Sequence, residues 1–323
     1  MTPPPGHSSN GLLEKKAVRR AFVALNPVAG SCTAKDVRLA LERRFAKSEV
    51  ACDVHETAPG EALPDLVREA LSQGYDLVVA GGGDGTVSAV ANGLVGSETP
   101  LGIVPLGTAN VLARELGIPV DLEAACQLLG DASSAFVSID AMRVDDRCYF
   151  TQVGVGIDAI MIRDTHREAK RRFGRIAYLW TAFTRLLGFQ PRHFALVIDD
   201  RPIRQSASEV LIANSGILGQ PPLRWGPGIR PDDGQLDVCL VRARTIRHYL
   251  SVAGHFLLGQ HAKSPNVRYL TVRKSVSIAT PRPLPVQADG EIIGETPVLV
   301  HVIPQALRVV VPAQAPQTLS QGT

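Results

Sequence analysis

Residues 78–86 read VVAGGGDGT, and the fold is decided here. A short apolar run, Leu77-Val78-Val79, stops at three glycines, then an acid, a glycine and a threonine. Behind them Val87, Val90, Ala91, Leu94 and Val95 recur at helical spacing. Strand, glycine turn and helix N-terminus together favour phosphate, because unpaired N–H groups and the helix dipole face the anion. Glycine lets the backbone turn sharply and come close to a ligand without a Cβ in the way. The loop does not match GxGxxG between strand and helix, and it lacks the Gly-Lys-Ser/Thr of a P-loop. A nucleotide held here has its phosphates cradled by backbone donors, with positive charge supplied by Mg²⁺ or arginine.

Outward from this stretch, strands and helices alternate. AFVALNP (21–27) reads as a strand stopped by Asn-Pro, and residues 34–47 as a helix with Val37, Leu41 and Phe45 on one face. A strand near 50–55 leads to Thr57, and a helix at 61–73 buries Leu63, Leu66, Val67, Ala70 and Leu71. After the glycine loop come a helix at 86–96, the strand LGIVP (101–105), a helix opened by Thr108 and closed by Gly117 and Pro119, and a helix near 121–129. Apolar strands without alternation between helices predict a largely parallel α/β unit. Asn26, Thr57, Thr86 and Thr108 then share the sheet rim where ligands collect in such folds.

Past Asp140 the texture changes. Residues 136–156 read as a hairpin turning at Asp145-Asp146, and residues 192–214 as another turning at 199–202. Residues 158–187 read as helical, with a basic cluster at 163–175 and a stripe including Phe173, Tyr178, Trp180 and Phe183. A solvated face explains the basic cluster and core packing explains most of the aromatics, though the segment is amphipathic enough for membrane contact. A Gly/Pro loop spans 216–234, and strands, one helix near 245–259 and the late TPVLVHVIPQALRVVVP follow. The expected organisation is an α/β domain at 17–140 and an antiparallel β domain at 141–311. The last strands pack back on the first domain, and residues 1–16 and 312–323 are unstructured tails.

Composition narrows the classes. The 323 residues carry a net charge of +3, and no apolar stretch is long enough to cross a bilayer. The polar, Pro-rich start MTPPPGHSSNG lacks the features of a signal peptide, which leads to the expectation of a cytoplasmic protein, with peripheral membrane contact left open. Five scattered cysteines without CxxC spacing support neither zinc nor a disulfide framework. Nothing points to nucleic acid.

Several acids could carry chemistry. Asp84 is suited to bind Mg²⁺ or orient an attacking alcohol, and equally to cap a helix. Asp289 and Glu291 in QADGEIIG could supply a base and a further carboxylate, while Asp-Gly also makes an ordinary hairpin turn. Asp232-Asp233-Gly234 could chelate a cation or simply turn the chain. His255 and His261 are isolated and read as structural.

NPVAG at 26–30, GGDGT at 82–86, PLGTAN at 105–110, ID at 139–140 and DGE at 289–291 occur in order. With them the chain resembles the catalytic domain shared by diacylglycerol kinases, sphingosine kinases and bacterial soluble lipid kinases, a family more distantly similar to NAD kinases. GGDGT alone would also admit an NAD kinase; PLGTAN and the β-rich second half favour the lipid-kinase branch. The resemblance implies an NAD-kinase-like α/β nucleotide-binding domain and a second, β-sandwich domain, with ATP in the cleft between them. It implies transfer of the γ-phosphoryl group to a hydroxyl of a lipid such as diacylglycerol, a sphingoid base or phosphatidylglycerol, met at a membrane surface. Homodimerisation is left open.

By the same resemblance, nucleotide contacts fall on Thr57, the 82–88 stretch with Gly82, Gly83, Asp84, Gly85, Thr86 and Ser88, and Thr108; Asn26 joins them from its place on the sheet rim. Glu291 is favoured as proton acceptor, with Asp289 close behind and Asp84 in the phosphate–magnesium network. A structural Mg²⁺ would use the Asp233 side chain and the carbonyls of Arg230 and Gln235, with Asp84 and Asp140 as further metal candidates. Two departures stand out: Ser88 where the family often has Asn, and Val111 where an Asp commonly follows the PLGTAN asparagine. Alternatives are an NAD-kinase-like enzyme and a non-catalytic lipid- or nucleotide-binding protein of the same fold.

Overall fold

The structure is a computed structural model that describes residues 18, 20–30, 32–131, 134–164, 191–217, 223–226 and 228–313. Most of the basic cluster, the aromatic stripe and both tails lie outside the described residues.

Four strands open the first half: β1 (Arg20–Leu25), β2 (Ala51–Glu56), β3 (Leu77–Gly82) and β4 (Leu101–Pro105). They pair in parallel in the order β2-β1-β3-β4. All residues of β3 and β4 are buried, which is why these strands show no apolar–polar alternation. The helices between them are α1 (Ala34–Lys47), α2 (Leu63–Ser72) and α3 (Asp84–Leu94), followed by α4 (Val111–Glu115) and α5 (Leu122–Leu129). Helix α2 packs with α3, and α1 with α5. Thr33 and Asp36 form a reciprocal capping box that fixes where α1 begins. The strand order reverses between β1 and β3, so a ligand crevice opens at the C-terminal ends of these two strands.

The second half is antiparallel. A six-stranded sheet runs β12-β11-β10-β7-β14-β15, from β7 (Gln152–Gly156), β10 (Glu209–Ala213), β11 (Leu236–Val241), β12 (Val267–Val272), β14 (Pro285–Ala288) and β15 (Glu291–Glu295). Facing it are β5 (Ala135–Val144), β6 (Arg147–Tyr149), β8 (Arg192–Ile198), β9 (Arg201–Ala207), β13 (Ser275–Ala279) and β16 (Val298–Val311). These strands continue the parallel sheet instead of forming a separate one. Val153, Val155, Val210, Ile212, Val238 and Leu240 from one sheet meet Phe194, Leu196, Val276, Ile278 and Val300 from the other in a dry sandwich core. β8 alternates exposed and buried residues, as a strand with one solvated face must. Helix α6 (Ile157–Asp164) lies against β7 and β14, while α7 (Ile246–Leu257) sends Phe256 into the outer face of the six-stranded sheet.

β16 joins the halves. Its C-terminal part pairs with β4 in parallel through Val309 and Leu101, and its N-terminal part pairs with β13. Its pairing with β5 is interrupted between Ile303 and Leu307, where Gln305 takes a positive φ of 51°. Asp140 fills this bulge by accepting the Gln305 N–H at 2.8 Å, so the long strand bends from one architecture into the other around one buried carboxylate.

Candidate active site

Three loops meet at the C-terminal ends of β1, β3 and β4. Asn26, one residue past β1, donates its backbone N–H to Gly81 O at 2.8 Å and its side-chain amide to Thr86 Oγ1 at 3.2 Å. That contact bridges the crevice where the strand order reverses. The Leu106 N–H donates to Gly82 O at 2.9 Å, joining the third loop to the second. Gly30 has φ +76° and lies so close to Leu106 O that any Cβ would collide with it. At Gly107 a Cβ would come within 2.7 Å of Gly83 Cα and 2.8 Å of Asn110 Oδ1. The loops touch backbone to backbone, and only glycine permits it.

Asp84 has a definite job. Its carboxylate accepts the backbone N–H groups of Asn110 at 2.9 Å and Val111 at 2.6 Å. It therefore caps α4 rather than its own helix. Asn110 is buried in the left-handed region at φ 48°, and its side-chain amide closes a ring with both the N–H and C=O of Gly107. Two expected helix starts change accordingly. α3 begins at Asp84, so Thr86 is in its first turn instead of opening it; α4 begins at Val111, and exposed Thr108 belongs to the loop. The chain must pass through a left-handed residue before it can coil, and that residue is Asn110, not Thr108. Val111, which lacks a carboxylate, still contributes its N–H.

The remaining rim residues fall as follows. Thr57 follows β2 and donates its N–H to Leu25 O at 2.8 Å, next to Asn26. Gly82 ends β3, Gly83 alone turns the chain into α3, exposed Gly85 follows Asp84, and Ser88 lies one turn further along α3. The first N–H groups of α3 have no acceptor within the helix and are the donors available to an anion.

Asp289 sits at φ 46° in the β14–β15 turn, half-buried. Its carboxylate accepts the N–H groups of Phe150, Thr151 and Gln152 at 2.9, 3.0 and 3.0 Å, and the Thr151 hydroxyl at 2.5 Å. Burial pushes its pKa up while these four donors pull the other way. Two residues on, Glu291 is exposed and its carboxylate has no hydrogen-bond partner among the described residues. Of the two acids, one is spent on building the turn and the other is presented from it.

The acids around residue 233 form a separate group. Asp140 is fully buried and accepts Gly234 N–H at 2.7 Å as well as Gln305 N–H, so it is tied to the 231–235 loop and not to the glycine loop. Burial raises its pKa, and the charges of Asp233 and Asp232 add to the rise. Arg230 pairs with Asp232 at 3.1 Å, and Asp233 accepts the Gln235 N–H at 3.1 Å. Among the described residues no three His, Cys, Asp or Glu side chains converge on one point, so a cation here would rely on backbone carbonyls. A cation suits the loop's excess of acid.

Three residues that tie the halves together were not singled out from sequence. Asn92 of α3 pairs its side-chain amide with both the C=O and N–H of Cys148, each at 2.8 Å. Asn214 is fully buried and donates to the carbonyls of Asp140 and Phe150 at 2.8 and 2.9 Å. Glu115 of α4 is buried against Arg224. Glu115 left a trace: it follows Leu112 by three residues and precedes Leu116, so helical spacing puts a charge on the apolar face. An isolated asparagine leaves no comparable signal.

The diacylglycerol kinase catalytic domain matches residues 20–144, and the YegS C-terminal NAD kinase beta sandwich-like domain matches residues 151–311. A Pseudomonas aeruginosa protein named "Probable lipid kinase YegS-like" is 34% identical over 78% of this chain and 82% of its own length. A Mycobacterium tuberculosis diacylglycerol kinase is 27% identical over 94% of this chain and 99% of its own. The crystal structure of a diacylglycerol kinase from Bacillus anthracis superposes with a TM-score of 0.76 at 22% identity, covering 92% of this chain and 98% of that one, and shows the same fold. With matches along both halves and a relative of this identity, the chain belongs to the diacylglycerol kinase and YegS-type lipid kinase family and is a lipid kinase.

Proposed function

We propose that this lipid kinase uses ATP and Mg²⁺ to phosphorylate a lipid hydroxyl, with diacylglycerol as the first substrate to test and sphingoid bases and phosphatidylglycerol next. The observation that carries the reading is the locking of three glycine-bearing loops around the α3 N-terminus, where Asn26, Asp84 and Asn110 leave the helix's first N–H groups free for phosphate. The relatives named diacylglycerol kinase support the choice of first substrate.

In this reading Asn26, Thr57, Gly82, Gly83, Gly85, Thr86, Ser88 and Thr108 line the nucleotide side. Asp84 keeps the second loop in place by holding α4. The lipid hydroxyl oxygen attacks the γ-phosphorus, the bond to the β–γ bridging oxygen breaks, and ADP leaves. The hydroxyl proton passes to Glu291, whose carboxylate has no donor to displace among the described residues. Asp289 holds the turn that presents it. Bound Mg²⁺ would offset charge on the phosphate oxygens. A second, structural Mg²⁺ would use the Asp233 carboxylate with the carbonyls of Arg230 and Gln235; Arg230 is paired with Asp232, which leaves Asp233 as the loop's carboxylate without a cationic side-chain partner among the described residues.

The domain division proposed is 17–140 and 141–311, in keeping with the two family matches. No described helix is long and apolar enough to cross a membrane, so the enzyme would meet its lipid at a surface. The test is purified protein with labelled ATP, Mg²⁺ and separate panels of diacylglycerol, sphingoid base, phosphatidylglycerol and NAD. Label in a lipid supports the reading; label in NAD alone moves the protein to an NAD-kinase-like activity.

A further inference from the structure

Helix α4 is held at both ends by carboxylates. Its first N–H groups, from Asn110 and Val111, are gripped by Asp84. In its last turn Glu115 has a side chain only 1% exposed. One Glu115 oxygen takes the Arg224 guanidinium at 2.8 Å, and the other takes the Ser215 hydroxyl and the Ile217 N–H, both at 2.9 Å. Arg224 reaches it by lying directly on Gly216, where any Cβ would strike the guanidinium. With five residues, α4 is a strut of about 7 Å, too short to bend between these anchors.

The far side of this clamp leads to the other acid. Asn214 and Ser215 donate their N–H groups to Thr151 O at 2.9 and 3.0 Å. Trp225, next to Arg224, donates its indole N–H to Gln152 Oε1 at 3.0 Å. Thr151 and Gln152 are two of the three residues whose N–H groups hold Asp289. A path of contacts therefore runs from Asp84 through α4 and Glu115 to Ser215 and to Arg224–Trp225, and from these to Thr151–Gln152 and the turn that carries Glu291.

We propose that Glu115, paired with Arg224, is a positioning residue that sets the phosphate loop and the acid-bearing turn at a fixed separation for phosphoryl transfer. This rests on the lipid kinase mechanism given above. Glu115 touches neither reactant; it acts through the two backbone segments it joins. Loss of the clamp should leave each half able to bind its ligand while the reacting groups drift apart, and displacements on the order of 1 Å cost roughly 100-fold in rate.

The test compares Glu115→Ala, Glu115→Gln and Arg224→Gln with the wild type at saturating ATP and lipid, normalised to folded protein. Glu115→Ala should lower kcat by roughly 10- to 100-fold, with KM for ATP nearly unchanged. The isosteric Glu115→Gln, which still accepts from Ser215 and Ile217, should fall between. Adding Arg224→Gln to Glu115→Ala should cost little more, because the partners act as one unit. In parallel, hydrogen exchange should quicken at both remote patches, the amides of Asn110–Val111 and of Phe150–Gln152. Unchanged kcat per folded molecule, or faster exchange confined to residues 215–217 and 224–225, overturns the proposal. A wild type that labels no lipid defeats the kinase mechanism, and the exchange comparison then decides the coupling alone.

Discussion

The acids divide into those that build and the exposed Glu291, which is left to react, and their partners tell them apart. Asp84, Asp140, Asp289 and Glu115 each accept at least two protein donors, and for the fully enclosed Asp140 and Glu115 removing one partner costs about 1–3 kcal/mol. Asp158 and Glu209 form another pair. Glu209 accepts the Asp158 N–H at 3.1 Å, and its second oxygen has no partner among the described residues. Burial raises the Asp158 pKa too, but Gln287 donates to its carboxylate at 2.7 Å and opposes that rise. Burial, and then the Asp158 charge, push the Glu209 pKa well above the ordinary glutamate value, so Glu209 is the member that keeps the proton. A carboxyl whose pKa is raised on folding contributes fully at low pH, and that contribution is lost as pH rises through its folded pKa. Glu209→Gln should therefore match the wild type in thermal stability near pH 4 and exceed it increasingly towards pH 9. Parallel melting curves across that range would refute the assignment.

Among the elements, the loop after β4 matters as much as the glycine loop itself. Gly107→Ala should force Gly83 and Asn110 apart, breaking the ring that Asn110 makes with Gly107 and weakening nucleotide binding by about tenfold or more, while the distant sandwich keeps its fold. Titration with a fluorescent ATP analogue checks it, and unchanged affinity would show that the loop contact is dispensable. The strands, most helices and both hairpin turns were legible in the chain because their signals are local: apolar runs, helical spacing, Asp-Asp and Asp-Gly turns. Thr108 misled because a threonine before an apolar run looks like a cap, and nothing local reveals that Asn110 must go left-handed first. That conformation is set by Asp84, 26 residues earlier in the chain. The ordered motifs located the candidate site, but they could not say that Asp289 is consumed by the turn, since its partners at 150–152 lie in a different strand and loop.

As a whole the molecule is two architectures on one shared strand. β16 borders β4 at one end and β13 at the other, with buried Val309 and Leu307 in the first core and Val300 and Val302 in the second. The Asn92, Asn214 and Glu115 contacts add polar ties across the same junction. Chemical denaturation should therefore give a single transition, coincident by far-UV circular dichroism and by exchange of amides from both halves; two separated transitions would mean that the halves are energetically independent. In the proposed mechanism this junction holds a nucleotide cradle against the exposed Glu291 carboxylate. That mechanism is tested most directly by transfer of labelled γ-phosphate from ATP to diacylglycerol by the wild type and Glu291→Gln side by side. Labelled phospholipid is expected from the wild type, with a loss of about 100-fold or more in kcat for the variant and ATP affinity retained. Equal rates from the two proteins, or no lipid labelled by the wild type, would contradict it.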